Sequence, residues 1–134
     1  EPDVETPDLG ADQAPAADSA PLVRPVEGAI IREYARGRND GIDIGAPAGT
    51  PVRAADAGVV AAVTTNTEGI RIVVIRHEGN LLTVYTHLDN LTVAKDDRVS
   101  RGQQIGQVRA GSPSFLHFEV RQGMDSRDPG EFLP

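Results

Sequence analysis

The chain contains no cysteine, no tryptophan, one methionine and one lysine. Without cysteine no disulfide can staple the fold, and the redox compartment stays open, because an exported domain with a sufficient core needs none. No apolar run approaches the 18 residues or so of a membrane-spanning helix. The first residues are acidic and carry no apolar stretch, so a signal peptide is not expected within them. No window has the 3.6-residue apolar period of a long amphipathic helix, so a helical bundle is excluded as well. The longest helical stretch expected is a turn near Leu88–Leu91.

Basic charge is absent from one end. Residues 1–20 carry six acidic side chains and no Lys or Arg, whereas the whole 134-residue chain has a net charge of −7. The remainder is therefore close to neutral, which argues against nucleic acid as a partner. Rich in Ala, Pro and Asp, residues 1–21 have only Val4 and Leu9 as sizeable apolar side chains before Leu22. Such a stretch cannot offset its ordering entropy, and the expectation is a flexible tether with a mean reach of roughly 25 Å. A start at Glu1 rather than Met fits a fragment with something upstream.

What is present from residue 22 to 134 is a β pattern, and these residues are expected to form one domain. Short runs with β-branched residues, "TPVRAADAGVVAAV", "GIRIVVIRHEG", "LLTVYTHL", "RVSRGQQIGQV" and "FLHFEV", alternate with the turn signals "APAGTP", "NTEG", "HEGN" and "AGSP". Residues 61–88 read as a three-stranded antiparallel meander. In "SFLHFEVR", Leu116, Phe118 and Val120 share one face, and Phe115, His117, Glu119 and Arg121 share the other.

Three histidines could carry chemistry. His77 precedes a turn and reads as a solvated strand end. His87 shares a face with Tyr85 by alternation, as His117 does with Phe115 and Glu119, and Asp43 with Asn39 and Gly41. Each alone reads most simply as a satisfied structural residue. The glycines serve turns and close strand approach, and Arg121 pairs with a nearby carboxylate.

Taken in order, the segments resemble the LytM domain, the lysostaphin-type zinc endopeptidases that cut peptide cross-links in bacterial cell walls. "GIDIGAPAGTPVRAADAGVV" is similar to that family's signature, "VVIRHEGNLLTVYTHL" to its second block, "VSRGQQIGQV" to its third, "LHFEVR" to its last strand and "DPGEFLP" to its closing segment. The resemblance covers residues 24–134. It implies an all-β, mainly antiparallel sandwich with an open groove, in which Asn39, Asp43, Tyr85, His87, Phe115 and His117 line the groove. It also implies zinc ligands at a histidine four residues before an aspartate, at that aspartate, and at the second histidine of an HxH. The first HxH histidine and the histidine of YxHL assist catalysis.

Carried over, Asp43, His87 and His117 match, but Asn39 and Phe115 stand where two histidines are expected. A catalytic zinc keeps three protein ligands and an open position. Asn39 offers a neutral amide oxygen, a poor donor for this ion, and Asp40 on an extended segment would face away. Without a held metal the attacking water keeps a pKa of about 15.7 rather than about 7. The expectation is no catalytic residue (a vestigial His87), no metal (vestigial Asp43 and His117, hydrogen-bonded to each other or to Asn39) and no cofactor.

The resemblance is then to the degenerate branch of NlpD, EnvC and DipM. It implies an inactive periplasmic or cell-envelope domain that activates a cell-wall amidase in peptidoglycan remodelling at division, and that could also hold peptidoglycan. The alternative is an active zinc endopeptidase with a non-standard third ligand. A biotinyl- or lipoyl-type carrier, suggested by "VAKDDRVSRGQQIGQV", fails for want of the flanks Lys95 would need.

Overall fold

The computed structural model describes residues 20–134. The tether expected over 1–21 lies, but for its last two residues, outside the described residues. Among the described residues ten strands follow one another: β1 (Ala29–Arg32), β2 (Ile42–Gly45), β3 (Pro51–Arg53), β4 (Gly58–Thr65), β5 (Arg71–Arg76), β6 (Leu81–Asp89), β7 (Arg98–Val99), β8 (Gln104–Val108), β9 (Phe115–Gln122) and β10 (Asp125–Arg127). Every pairing among them is antiparallel. The main path runs β1-β2-β9-β6-β5-β4-β7, with β10 extending along β9 and a β3–β8 ribbon joined at the end of β6.

The β4–β5–β6 meander forms as the sequence predicts, and its tight turns explain the pairing of neighbours in sequence. The run from Thr50 to Val63 is broken between β3 and β4, where Ala54 and Ala55 are fully buried in a turn. No helix forms near Leu88–Leu91; the helical turns are 3₁₀ turns at Glu78–Asn80 and Pro129–Glu131. Residues 88–89 are drawn instead into the ladder with β8.

One apolar core unites the main sheet with the ribbon. Val60, Val73, Ile75, Leu116, Phe118 and Val120 of the sheet join Val52, Ile105 and Val108 of the ribbon. Each such aliphatic side chain contributes about 1.5–3 kcal/mol on burial. On β9 the alternation is regular: Leu116, Phe118 and Val120 are buried, and Phe115, His117, Glu119 and Arg121 are half-buried on the opposite face. That opposite face is the one left open for a site.

Two residues depart from their expected places. His77 is not a solvated strand end: it is 7% exposed. Its Nδ1–H donates to the Ala57 carbonyl at 2.7 Å, since a carbonyl can only accept, and its Nε2 meets Thr83 Oγ1 at 2.8 Å. Thr83 Oγ1 is 2.8 Å from the Tyr85 hydroxyl, which accepts from the Ala55 N–H at 2.9 Å. Gly58 makes room, because a Cβ there would meet the Arg76 carbonyl oxygen and lie 2.9 Å from His77 Nδ1.

Tyr85, expected in the groove, is the second departure. It is fully buried on the core face, with its ring 5.4 Å from that of Phe118. Burial pushes its hydroxyl pKa up to about 12 against the opposing bond from Ala55, so it stays a phenol and a donor. Replacing it by phenylalanine leaves the Ala55 N–H and the Thr83 hydroxyl without their partner. Tyr85→Phe should therefore cost about 1–3 kcal/mol in urea unfolding, a loss that an unchanged midpoint would contradict.

Candidate functional site

The open face is built by register. Asp43 on β2 lies directly opposite His117 on β9, and Thr86 on β6 lies opposite His117 on its other side. Ile42 and Ile44 flank Asp43 and are buried, as Leu116 and Phe118 are around His117. The apolar neighbours turn inward, so the polar pair faces the groove.

The pair is tightly joined. His117 Nδ1 sits 2.6 Å from Asp43 Oδ1, and its Nε2 sits 2.8 Å from Glu119 Oε2. The other Glu119 oxygen accepts from Arg121 Nε at 3.0 Å and pairs with its terminal nitrogen at 2.8 Å. Arg121 also reaches Asp40 at 3.7 Å. Charges alternate along the series Asp43, His117, Glu119, Arg121, Asp40. Burial would lower the His117 pKa, but the hydrogen bonds its ring donates to Glu119 and Asp43 and their negative charge outweigh it and raise it. The Glu119 pKa is held down chiefly by its bond to His117, against burial, with help from Arg121.

His87 reaches the same face by an irregularity. β5 and β6 slip register between Arg71 and Ile72, so that Thr86 and Leu88 are paired and His87 is not. Its φ is 74°, a left-handed value that is uncommon for a non-glycine residue. Strict alternation would put it with Tyr85 under the sheet; the bulge turns it to the groove, where its ring lies 4.5 Å from that of Phe115. Burial, then the charge on His117, lowers its pKa. Its Nδ1 is buried without a hydrogen-bond partner among the described residues.

Asn39 is placed by its own turn. It pairs with Ala35 across Gly37, which has φ 84°, and its side-chain amide donates to the Glu33 carbonyl at 2.9 Å. The stretch from Asp40 to Gly41 bends before β2 begins at Ile42, so the alternation expected there does not hold. Asp40 consequently turns to Arg121 rather than simply away from the site. The structure thus brings Asp43, His87, Phe115 and His117 to one face, commits the Asn39 amide nitrogen to a main-chain carbonyl, and separates Tyr85. It adds Glu119, which the alternation of β9 placed beside His117 although it was left out of the groove set.

These donors do not fit a catalytic zinc. Two of the three required ligands are present and bonded to each other, and Phe115 supplies no donor. Among the described residues no three His, Asp or Glu side chains gather as metal ligands.

Residues 37–129 match the model of peptidase family M23. The chain belongs to this family. Among M23-type relatives it is 39% identical to the uncharacterized lipoprotein YgeR of Escherichia coli, over 82% of this chain and 46% of that one. It is 33% identical to the murein hydrolase activator NlpD of Escherichia coli, over 82% and 30%. With the cell division protein DipM of Caulobacter vibrioides it shares 34%, over 78% and 18%. A crystal structure of a zinc-containing peptidase from Vibrio cholerae superposes with a TM-score of 0.72 at 30% identity, over 78% of this chain and 37% of that chain. The chain spans less than half the length of each of these proteins. The M23 fold is therefore shared with a zinc-containing peptidase, while positions 39 and 115 of this chain hold Asn and Phe.

The charge series makes a pH prediction. A raised His117 pKa adds stability that is full below the unfolded value of 6.5 and disappears as pH rises through the folded value. A lowered Glu119 pKa adds stability that is present above 4.5 and disappears as pH falls through its folded value. The two contributions coexist between about pH 4.5 and 6.5. His117→Gln should therefore cost more stability at about pH 5.5 than at about pH 8.5. Urea midpoints of both proteins at the two pH values check this, and an equal loss at both would contradict it.

Proposed function

We propose that this domain is a catalytically inactive M23 module that activates a cell-wall amidase in the bacterial envelope, in peptidoglycan remodelling at division. The observation that carries the reading is the donor set: Asp43 and His117 satisfy each other, and positions 39 and 115 offer no imidazole. A water molecule in this groove would have neither a held metal to acidify it nor a second histidine beside the developing oxyanion. Neither zinc nor another cofactor enters the proposed role. The names of relatives, a murein hydrolase activator and a cell division protein, support the same reading, and a lipoprotein relative supports the envelope as its place.

Activation requires a surface rather than a reaction centre. The open face offers one with two characters. Half-buried Ile72 and Val74 of β5 and Leu82 and Val84 of β6 lie beside the charged row of β9, with Val84 opposite Glu119 and Leu82 opposite Arg121. A partner segment with an apolar side and complementary charges would satisfy both.

Dye release from purified sacculi, with and without a cognate amidase, tests the reading. The domain alone should release no dye, and the amidase should release more in its presence. His117→Ala should retain most of that stimulation. Lysis by the domain alone, lost in His117→Ala, would reject the proposal in favour of a zinc endopeptidase with an unusual third ligand.

A further inference from the structure

A cleft of about 550 Å³ opens where β5, β4 and β7 run side by side, toward the edge of the main sheet remote from the Asp43–His117 pair. Register places its two arginines. Val59 of β4 lies opposite Arg76 of β5 on one side and opposite Arg98 of β7 on the other. The three residues share a face, and the arginines stand two strand spacings apart, roughly 9–10 Å. Both are exposed, and neither is paired with a carboxylate among the described residues. Glu78 is the one acidic residue of the lining. Nearby, Asp56 is committed to Arg101 and the Ala57 N–H, and Asp97 to the Ala94 N–H. The cleft is left with an excess of positive charge.

The chain itself carries the complement. Residues 1–19 lie outside the described residues, but the point where that segment joins the fold is fixed beside the cleft. Arg101 donates to the carbonyl oxygens of Pro21 at 2.7 Å and Ala20 at 3.0 Å, and pairs with Asp56 at 3.5 Å. Ser100 and Ala57, next in sequence to Arg101 and Asp56, both line the cleft. The segment holds Glu1, Asp3, Glu5, Asp8, Asp12 and Asp18 and no basic side chain.

Spacing selects two of these carboxylates. In "ETPD", residues 5–8, Pro7 fixes its own φ and confines Thr6 to extended or polyproline II backbone. One polyproline II turn is three residues, so Glu5 and Asp8 would stand on one side about 9 Å apart. That matches the separation of Arg76 and Arg98. The stretch from Asp8 to Ala20 has a mean reach of about 19 Å, ample for a cleft that begins one residue from the anchor.

We propose that the cleft between Arg76 and Arg98 is a docking site for the chain's own acidic segment, with Glu5 and Asp8 paired to the two guanidinium groups. Each such surface pair is weak and screened by salt. The tether raises the local carboxylate concentration to about the millimolar range, so the contact forms and releases within one molecule. While formed, it shields both arginines from any other anion, which must displace the segment to reach them. The contact involves neither the Asp43–His117 pair nor an amidase.

Because the chain has no cysteine, Thr6→Cys supplies a single place for a nitroxide spin label. In nitrogen-15 spectra of the full chain, the label should broaden the amide signals of Val59, Arg76 and Arg98 more than those of Asp43 and His117. Arg76→Ser with Arg98→Ser should remove that broadening, and so should Glu5→Gln with Asp8→Asn. Salt at about 1 M, where the Debye length is about 3 Å, should remove it too. Glu1→Gln with Asp3→Asn should leave most of it. Uniform broadening over the surface, or equal loss in both neutralised pairs, would overturn the proposal. Broadening of nitrogen-15 protein by separately labelled unenriched protein would overturn it as well, by assigning the segment to a second copy. Circular dichroism checks that the arginine variant folds; should it not, the Glu5 and Asp8 pair gives the same decision with the sheet untouched.

Discussion

The groove depends on the register between β2 and β9. Ile42 and Ile44 bury themselves on either side of Asp43, as Leu116 and Phe118 do around His117. A slip of one residue on either strand would drive a carboxylate or an imidazole into the core and expose the aliphatic residues. Hydrophobic burial therefore fixes where the polar pair stands, and the short bond between Asp43 and His117 follows from that placement. The polar bond adds stability, but the apolar alternation beneath it sets the geometry.

Once placed, the polar groups face a constraint of their own. A half-buried imidazole and a buried carboxylate must find partners or carry the cost of desolvation. In a zinc peptidase the ion would be the common partner. In this chain the charges satisfy each other in a row from Asp43 to Arg121, and the groove keeps a defined polar floor. With Asn at position 39 and Phe at position 115, the face is not emptied of order: its floor is held by the row from Asp43 to Arg121.

The sequence was most readable where its period was undisturbed. The faces of β9 and the meander of β4 to β6 follow from alternation and turn signals, and the approach of Asp43 to His117 from the family resemblance. Its failures have local causes. The bulge at His87 shifts the phase of β6, so parity placed Tyr85 and His87 together when the sheet separates them. At Asp40 a bend replaces the extended chain on which the face assignment rested. His77 was misjudged because its partners are distant: Ala57 lies on the β3–β4 turn, and Thr83 is across a hairpin. A clue was available in β6, where Thr83 and Tyr85 occupy core positions, since buried hydroxyls call for partners.

The His77 series has a further property. It begins at the Ala55 N–H and ends at the Ala57 carbonyl, two groups of fixed character on one turn. The two fixed ends set the order of the series: Ala55 N–H to Tyr85, Tyr85 beside Thr83, Thr83 beside the imidazole, and the imidazole Nδ1–H to the Ala57 carbonyl. Neither hydroxyl can rotate without breaking a bond in a region closed to water. Both hydroxyls are fully buried, so their exchange with deuterium requires a local opening of the core around them and reports how often that opening occurs.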